Sequence, residues 1–377
     1  MNASGLIVRD AIEGGFTVTA RRTDTYRIHI GEQLTTQLPG LLGELVQQLG
    51  SPGLLLLVDT GAAEHHLGAV TAAATGTGLP FQVMAIPAGE SSKSPARLRE
   101  VIRFLAQHGA ARRTLLLGVG GGMVCDLVTA AAALYMRGVP YALLPTTVLA
   151  QVDAAVGGKG GVDLGLAKNL LGAFHQPAAV FIDPALTRTL SARQVRNGLA
   201  EVIKVALITD PALFTVLEDG AGRLPTVEQL TAITASAIAA KLRLLAPDPY
   251  EQGDLRRLLN LGHCIGHPYE SATGYRVLHG EAVAAGTAAA AQHAYLTGRT
   301  TRSALQRILD LLTAYQLPTV IPEMLRDAVW DQMATVRRIR GGPLHLVVPH
   351  QPGHCTITDD IDRPSFDKAL SDLAARP

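Results

Sequence analysis

Three histidines stand close together in Asn260-Leu-Gly-His-Cys-Ile-Gly-His267 and Leu278-His-Gly-Glu281. Arg256 precedes them, and Glu201 and Lys204 lie one helical turn apart in Gly198-Leu-Ala-Glu-Val-Ile-Lys204. A carboxylate from one helix and imidazoles from elsewhere are what an open catalytic zinc site needs, with three protein ligands and one position for substrate. A lone histidine here would read as core. The set reads as a metal centre.

Other polar groups extend the pattern. Arg256, Asn260, His263 and His267 are spaced to share one helical face, where they could bind an anion and a metal together. Asp153, Lys159, Lys168 and Asn169 fall in the glycine-rich stretch 151–169, which predicts a loop crossing an interdomain cleft. Its two ammonium groups and one amide suit phosphate oxygens. Gly118-Val-Gly-Gly-Gly122 sits between a strand over Thr114–Leu117 and a helix over Val124–Met136, so backbone and helix N-terminus can approach a pyrophosphate. Asp59 ends the apolar run Leu54–Val58 and serves either ribose hydroxyls or a turn. Pro87-Ala-Gly-Glu90-Ser-Ser-Lys93 offers a second charged loop, and Lys241 and Arg243 read as a solvated helix surface.

The elements that position these groups follow from patterning. Phe16–Ala20 and Tyr26–Ile30 alternate and predict half-buried strands. Leu54–Val58, Phe81–Ile86, Thr114–Val119, Tyr141–Leu144 and Ala179–Ile182 are continuous apolar runs, as in parallel strands covered on both faces. Ser94-Pro95 opens a helix between two of them, and Ser191 to Gln194 forms a capping box ahead of Glu201. Beyond Pro184 the pattern is helical, over Val227–Leu245, Leu259–Ala272, Glu281–Leu296 and Arg302–Ala314; only Leu344–Val348 looks extended. The fold class is therefore α/β: a doubly wound Rossmann-like sheet in residues 1–185, then an all-α metal- and substrate-binding domain in 186–377.

Bulk properties agree with an enzyme of small molecules. At 377 residues the chain exceeds one ordinary core, which favours two domains. The net charge of +1, with basic residues scattered, gives no footprint for nucleic acid or an anionic membrane. Cys125, Cys264 and Cys355 lie far apart and form no CxxC pair, so a reducing cytoplasm is expected. The N-terminus shows no signal-peptide pattern, and Ala282–Ala294 reads as a buried helix.

The chain resembles the 3-dehydroquinate synthase family, the sugar phosphate cyclases. The likeness rests on GGGMVCDL (120–127), YMRG (135–138), PTT (145–147), QVDAAVGGK (151–159), KN (168–169), GLAEVIK (198–204), LNLGHCIGH (259–267) and LHGEAVA (278–284). It implies a Rossmann-like NAD domain, a helical metal domain and a homodimer. It implies Glu201, His263 and His279 as ligands of zinc or cobalt. For NAD it implies Asp59, Glu90, Lys93, Gly121, Gly122, Asp126, Thr146 and Thr147, with Lys168 beside them. Arg137, Lys159, Asn169 and His267 would surround the substrate phosphate. Asp153, Lys204 and Asn260 would hold hydroxyls, and Lys241 with Arg256 a carboxylate.

The implied chemistry is transient oxidation of a ring hydroxyl by NAD, phosphate elimination, return of the hydride, ring opening and an intramolecular aldol. Departures from the family pattern are Arg337 and Arg338 near an expected lysine, Asp248-Pro-Tyr-Glu251, Pro268 and Ala167. They suggest a divergent member. Yet Lys241 and Arg256 persist, and two unpaired buried cations are costly. The expected substrate is therefore 3-deoxy-D-arabino-heptulosonate 7-phosphate or its amino analogue. The alternatives are a cyclase of sedoheptulose 7-phosphate or glucose 6-phosphate, and a polyol dehydrogenase.

Overall fold

The continuous apolar runs form one parallel sheet. In the computed structural model, which describes residues 5–10, 16–164, 167–251, 255–340 and 344–376, the strands are β1 (Gly5–Asp10), β2 (Phe16–Arg21), β3 (Arg27–Ile30), β4 (Leu54–Asp59), β5 (Phe81–Ile86), β6 (Leu115–Gly120), β7 (Tyr141–Pro145), β8 (Lys159–Leu164), β9 (Ala167–Phe174) and β10 (Ala179–Ile182). Six of them pair in parallel in the order β3-β10-β7-β6-β4-β5. The helices α1 (Leu34–Leu49), α2 (Thr60–Gly76), α3 (Pro95–Gln107) and α4 (Gly122–Leu134) connect the strands. Residues of β4, β6, β7 and β10 are buried throughout, because both sheet faces are covered. After β5 the chain returns to the other side of β4 to lay down β6. That reversal opens a crevice at the carboxyl ends of β4 and β6, where such sheets bind ligands.

Helices dominate afterwards: α5 (Ala192–Thr209), α6 (Pro211–Asp219), α7 (Val227–Leu245), α8 (His263–Ala272), α9 (His279–Leu296), α10 (Arg302–Ala314), α11 (Arg326–Arg340) and α12 (Arg363–Ala374). The caps expected at Ser94 and Ser191 form, and Asp210 caps α6. The second half is not purely helical, however. β11 (Leu346–Gln351) and β12 (His354–Thr358) make an antiparallel hairpin against α9 and α5. Only its first strand shows in the sequence, because Thr356 and Thr358 interrupt the apolar run of the second.

The stretch 151–169 is not the loop that its glycines predict. It holds a single π-helical turn over Ala150–Ala154 and then the antiparallel hairpin β8–β9. Gly160 and Gly172 are needed there for close packing: a Cβ at Gly160 would overlap Thr129 of α4, and one at Gly172 would crowd the Gly160 carbonyl. Among the described residues, β1 and β2 pair only with each other.

Two apolar cores flank the sheet, and a third, larger one is built from the later helices. Val148 and Val152, which precede the expected division at 185, pack in the later core, and Ile238 of α7 packs with the sheet. Small residues make the helical packing tight. Every residue from Ala282 to Ala294 in α9 is buried. Among the described residues no helix is long and apolar enough to cross a membrane.

Candidate active site

Two glycine contacts bring the acid and the imidazoles together. A Cβ on Gly280 would overlap the Asn197 carbonyl, so glycine lets the start of α9 lie directly on α5, and the Gly280 N–H donates to Asn197 Oδ1 at 2.6 Å. Gly286 of α9 touches the Gly262 carbonyl in the same way. Gly262 itself is left-handed, with φ 78°, and separates a 3-10 turn over Leu255–Asn260 from α8. The single helix expected over Leu259–Ala272 is therefore broken, and Asn260 does not share a helical face with His263 and His267. The break is what allows α8 to begin at His263.

Glu201, with 2% of its surface exposed, points its carboxylate between the rings. Its Oε1 lies 3.4 Å from His279 Nε2 and 3.7 Å from His263 Nε2 and has no hydrogen-bond partner of good geometry. The other side of each ring is already engaged. His263 Nδ1 meets the Leu261 carbonyl at 3.0 Å, and His279 Nδ1 meets Glu270 Oε2 at 3.2 Å. Donation from Nδ1 aims each Nε2 at Glu201, with a lone pair there whenever the ring is neutral, the arrangement outer-shell partners impose on metal-binding histidines. His267 stands alongside, and one ring nitrogen from each of the three histidines falls within 4.8 Å of the others.

Charge supports a cation at this point. Burial and then Lys204 lower the His263 pKa to about 4, so that ring is neutral at pH 7. Burial likewise pushes His267 well below its usual range. Glu201 is held at about 2 although burial opposes it, because the Lys204 ammonium favours the carboxylate. His279 is raised to about 9 against burial by the adjacent carboxylates of Glu201 and Glu270. A divalent ion would take over the positive charge that this proton supplies. The donor set, with one carboxylate and two neutral-capable imidazoles, fits Zn²⁺ or Co²⁺.

An ion-pair chain runs from this centre to the glycine turn. Glu270 Oε1 accepts from Lys168 Nζ at 2.7 Å, and Lys168 Nζ lies 2.9 Å from Glu90 Oε1. Glu90 is 4.0 Å from Lys93, which is paired with Asp126 on α4. Asp59 binds backbone: Oδ1 accepts from Ala62 N at 2.7 Å, capping α2, and Oδ2 accepts from Gly121 N at 3.0 Å. Of its two readings, the turn-and-cap one is what these bonds display. Gly121 and Gly122 begin α4, and Thr146 donates its N–H to the Gly120 carbonyl while Thr147 caps the next turn. Glu90, Lys93, Asp126, Gly121, Gly122, Thr146 and Thr147 thus gather at the crevice of the sheet.

The remaining expectations divide. Lys204 pairs with Glu201, and Lys241 Nζ lies 2.6 Å from both Oδ1 and the carbonyl of Asp153, which the π turn presents to α7. Burial therefore does not leave Lys241 unpaired, contrary to the sequence argument. Lys159 and Lys168 do not form a joint clamp. Antiparallel pairing places Lys159 at the open end of the hairpin, opposite Phe174, where it pairs with Glu251. Lys168 lies near the tip, six residues before Phe174 on β9. Asn169 is exposed beside it, with φ 55°. Arg137 is exposed past the C-terminal end of α4, about 20 Å from Gly122 at ~1.5 Å per residue. Arg337 and Arg338 are exposed on α11. The Arg256 side chain lies outside the described residues.

Glu270 is the functional group that sequence reading missed. It sits one helical turn after His267, on the face that the histidine spacing had already marked.

Comparison with known proteins agrees with this geometry. The family profiles "3-dehydroquinate synthase N-terminal" and "3-dehydroquinate synthase C-terminal" match residues 83–197 and 198–338. A 2-epi-valiolone synthase of Stigmatella aurantiaca is 43% identical over 98% of this chain and 94% of its own length. A 3-dehydroquinate synthase of Pseudoalteromonas translucida is 40% identical over 89% and 94%. The solved structure of a 2-epi-5-epi-valiolone synthase from Streptomyces hygroscopicus, with NAD⁺ and Zn²⁺ bound, superposes with a TM-score of 0.87 at 32% identity, covering 96% of this chain and all of that one.

Proposed function

Because the chain belongs to the 3-dehydroquinate synthase family of sugar phosphate cyclases, we propose that it cyclises sedoheptulose 7-phosphate to a valiolone-type cyclitol, releasing phosphate. The observation that carries the choice of substrate is the pairing of Lys241 with Asp153. The case for a heptulosonate rested on two cations, Lys241 and Arg256, that lacked carboxylate partners. This chain supplies a carboxylate to Lys241 itself, which removes that ammonium from the case. Likeness to the Stigmatella valiolone synthase over nearly the whole chain supports the same reading.

The proposed division of labour follows the site. Glu201, His263 and His279 would hold a divalent metal, and Gly121, Gly122, Glu90, Lys93, Asp126, Thr146 and Thr147 would hold NAD, as the Streptomyces relative holds Zn²⁺ and NAD⁺. Bound together, these groups supply a reversible hydride acceptor and Lewis acidity toward a substrate hydroxyl. Lys204, paired with Glu201, and Asp153, paired with Lys241, would orient the neighbouring hydroxyls. His267, neutral through burial, would offer its ring nitrogen to the departing phosphate. The helices carrying Glu201, Lys204, His263, His267 and His279 belong to a second domain, which we divide from the first near residue 185.

Phosphate release from each sugar phosphate tests the proposal. Turnover of sedoheptulose 7-phosphate without net NADH supports it. Turnover of 3-deoxy-D-arabino-heptulosonate 7-phosphate alone would return the chain to 3-dehydroquinate synthesis, and steady NADH accumulation would make it a dehydrogenase.

A further inference from the structure

Both oxygens of Glu270 are engaged, one by an imidazole of the metal centre and one by an ammonium that belongs to the dinucleotide side. Oε2 meets His279 Nδ1 at 3.2 Å, and Oε1 accepts from Lys168 Nζ at 2.7 Å. Lys168 reaches Glu90 at 2.9 Å, and its Nζ also lies 5.3 Å from the centre of the Tyr275 ring. The side chains of Lys168 and Glu270 are 7% and 4% exposed, so solvent screens the pair little. Three segments far apart in sequence meet here: the loop after β5, strand β9 and helix α8.

We propose that Glu270 is a positioning residue that fixes the metal-facing orientation of His279, and that Lys168 ties this orientation to the Glu90 loop, linking metal affinity to dinucleotide binding. The inference rests on the cofactor reading above. A ring held at Nδ1 by a carboxylate has its Nε2 direction set, and loss of such a partner weakens metal binding by roughly 10–100-fold. Linkage is reciprocal: whatever NAD⁺ does to metal affinity, metal does to NAD⁺ affinity.

The test measures Zn²⁺ affinity by chelator competition and the visible spectrum of bound Co²⁺, each with and without NAD⁺, on the full chain. Wild type should bind one equivalent, more tightly with NAD⁺. Glu270→Gln should weaken Zn²⁺ by roughly 10–100-fold and alter the Co²⁺ spectrum. Lys168→Met should abolish the NAD⁺-dependent difference. The double variant Glu270→Gln/Lys168→Met buries no unpaired ammonium and carries the measurement if Glu270→Gln does not fold. Wild-type affinity and spectrum in the glutamine variants would overturn the positioning role. A wild type insensitive to NAD⁺, or a Lys168→Met variant that keeps the full difference, would overturn the linkage. A wild type that binds no metal would overturn the cofactor reading itself.

Discussion

Lys241 Nζ lies 2.6 Å from Asp153 Oδ1, joining α7 to the π turn that follows β7. The contact decides how the site's positive charge is spent, because an ammonium already matched by a carboxylate does not call for another on the substrate.

Lys241→Met should destabilise the protein by about 2 kcal/mol, below the ~3–5 kcal/mol of a fully buried pair because Asp153 is partly exposed. Asp153→Asn in the same chain should restore most of that loss. Urea unfolding of the two single variants and the double variant measures the coupling. Additive effects would show that the pair contributes nothing.

Metal should follow the Glu201–His279 contact. Glu201→Ala and His279→Ala should each lower metal affinity by more than the roughly 10–100-fold that loss of an outer-shell partner costs. Chelation of wild type should abolish phosphate release, and Zn²⁺ or Co²⁺ should restore it. Elemental analysis of each purified variant checks the loading.

Gly280→Ala should act on the metal without touching a ligand. Its new methyl group would overlap the Asn197 carbonyl and push α9 from α5, separating His279 from Glu201. Overpacking of this kind costs about 1–3 kcal/mol. Thermal unfolding and Zn²⁺ affinity should fall together, whereas Gly68→Ala, in open space, should leave the affinity unchanged.

Acid should unfold the protein partly through Glu90. Burial raises its pKa, but Lys93 and Lys168 outweigh that and hold it below the ordinary 4.5. A carboxyl lowered in the folded state contributes stability that is complete above pH 4.5 and lost as the pH falls below it. Glu90→Gln should therefore flatten the acid limb of the stability profile. An unchanged slope below pH 4.5 would remove Glu90 from the account.

Much of this was legible in the chain. Continuous apolar runs marked the parallel strands because a strand covered on both faces has no solvated side to alternate. The helices over Val227–Leu245 and Arg302–Ala314 form with the bounds their spacing predicts. Residue type and order marked a carboxylate and three histidines as a possible metal centre, and the choice of Glu201, His263 and His279 among them came from the family resemblance.

Tertiary structure alone decided the partners. Whether Lys241 sought a substrate carboxylate or Asp153 depended on a π turn that local composition disguised as loop. The separation of Lys159 from Lys168 came from hairpin pairing, in which residues close in sequence run to opposite ends. Asp59 proved to bind backbone because strand order puts β4 beside β6 and so sets its carboxylate under Gly121. Sequence spacing encodes contacts along one helix or strand, over a few residues. Charges far apart in the chain meet only when separate elements pack, and packing settled which acid each base would hold.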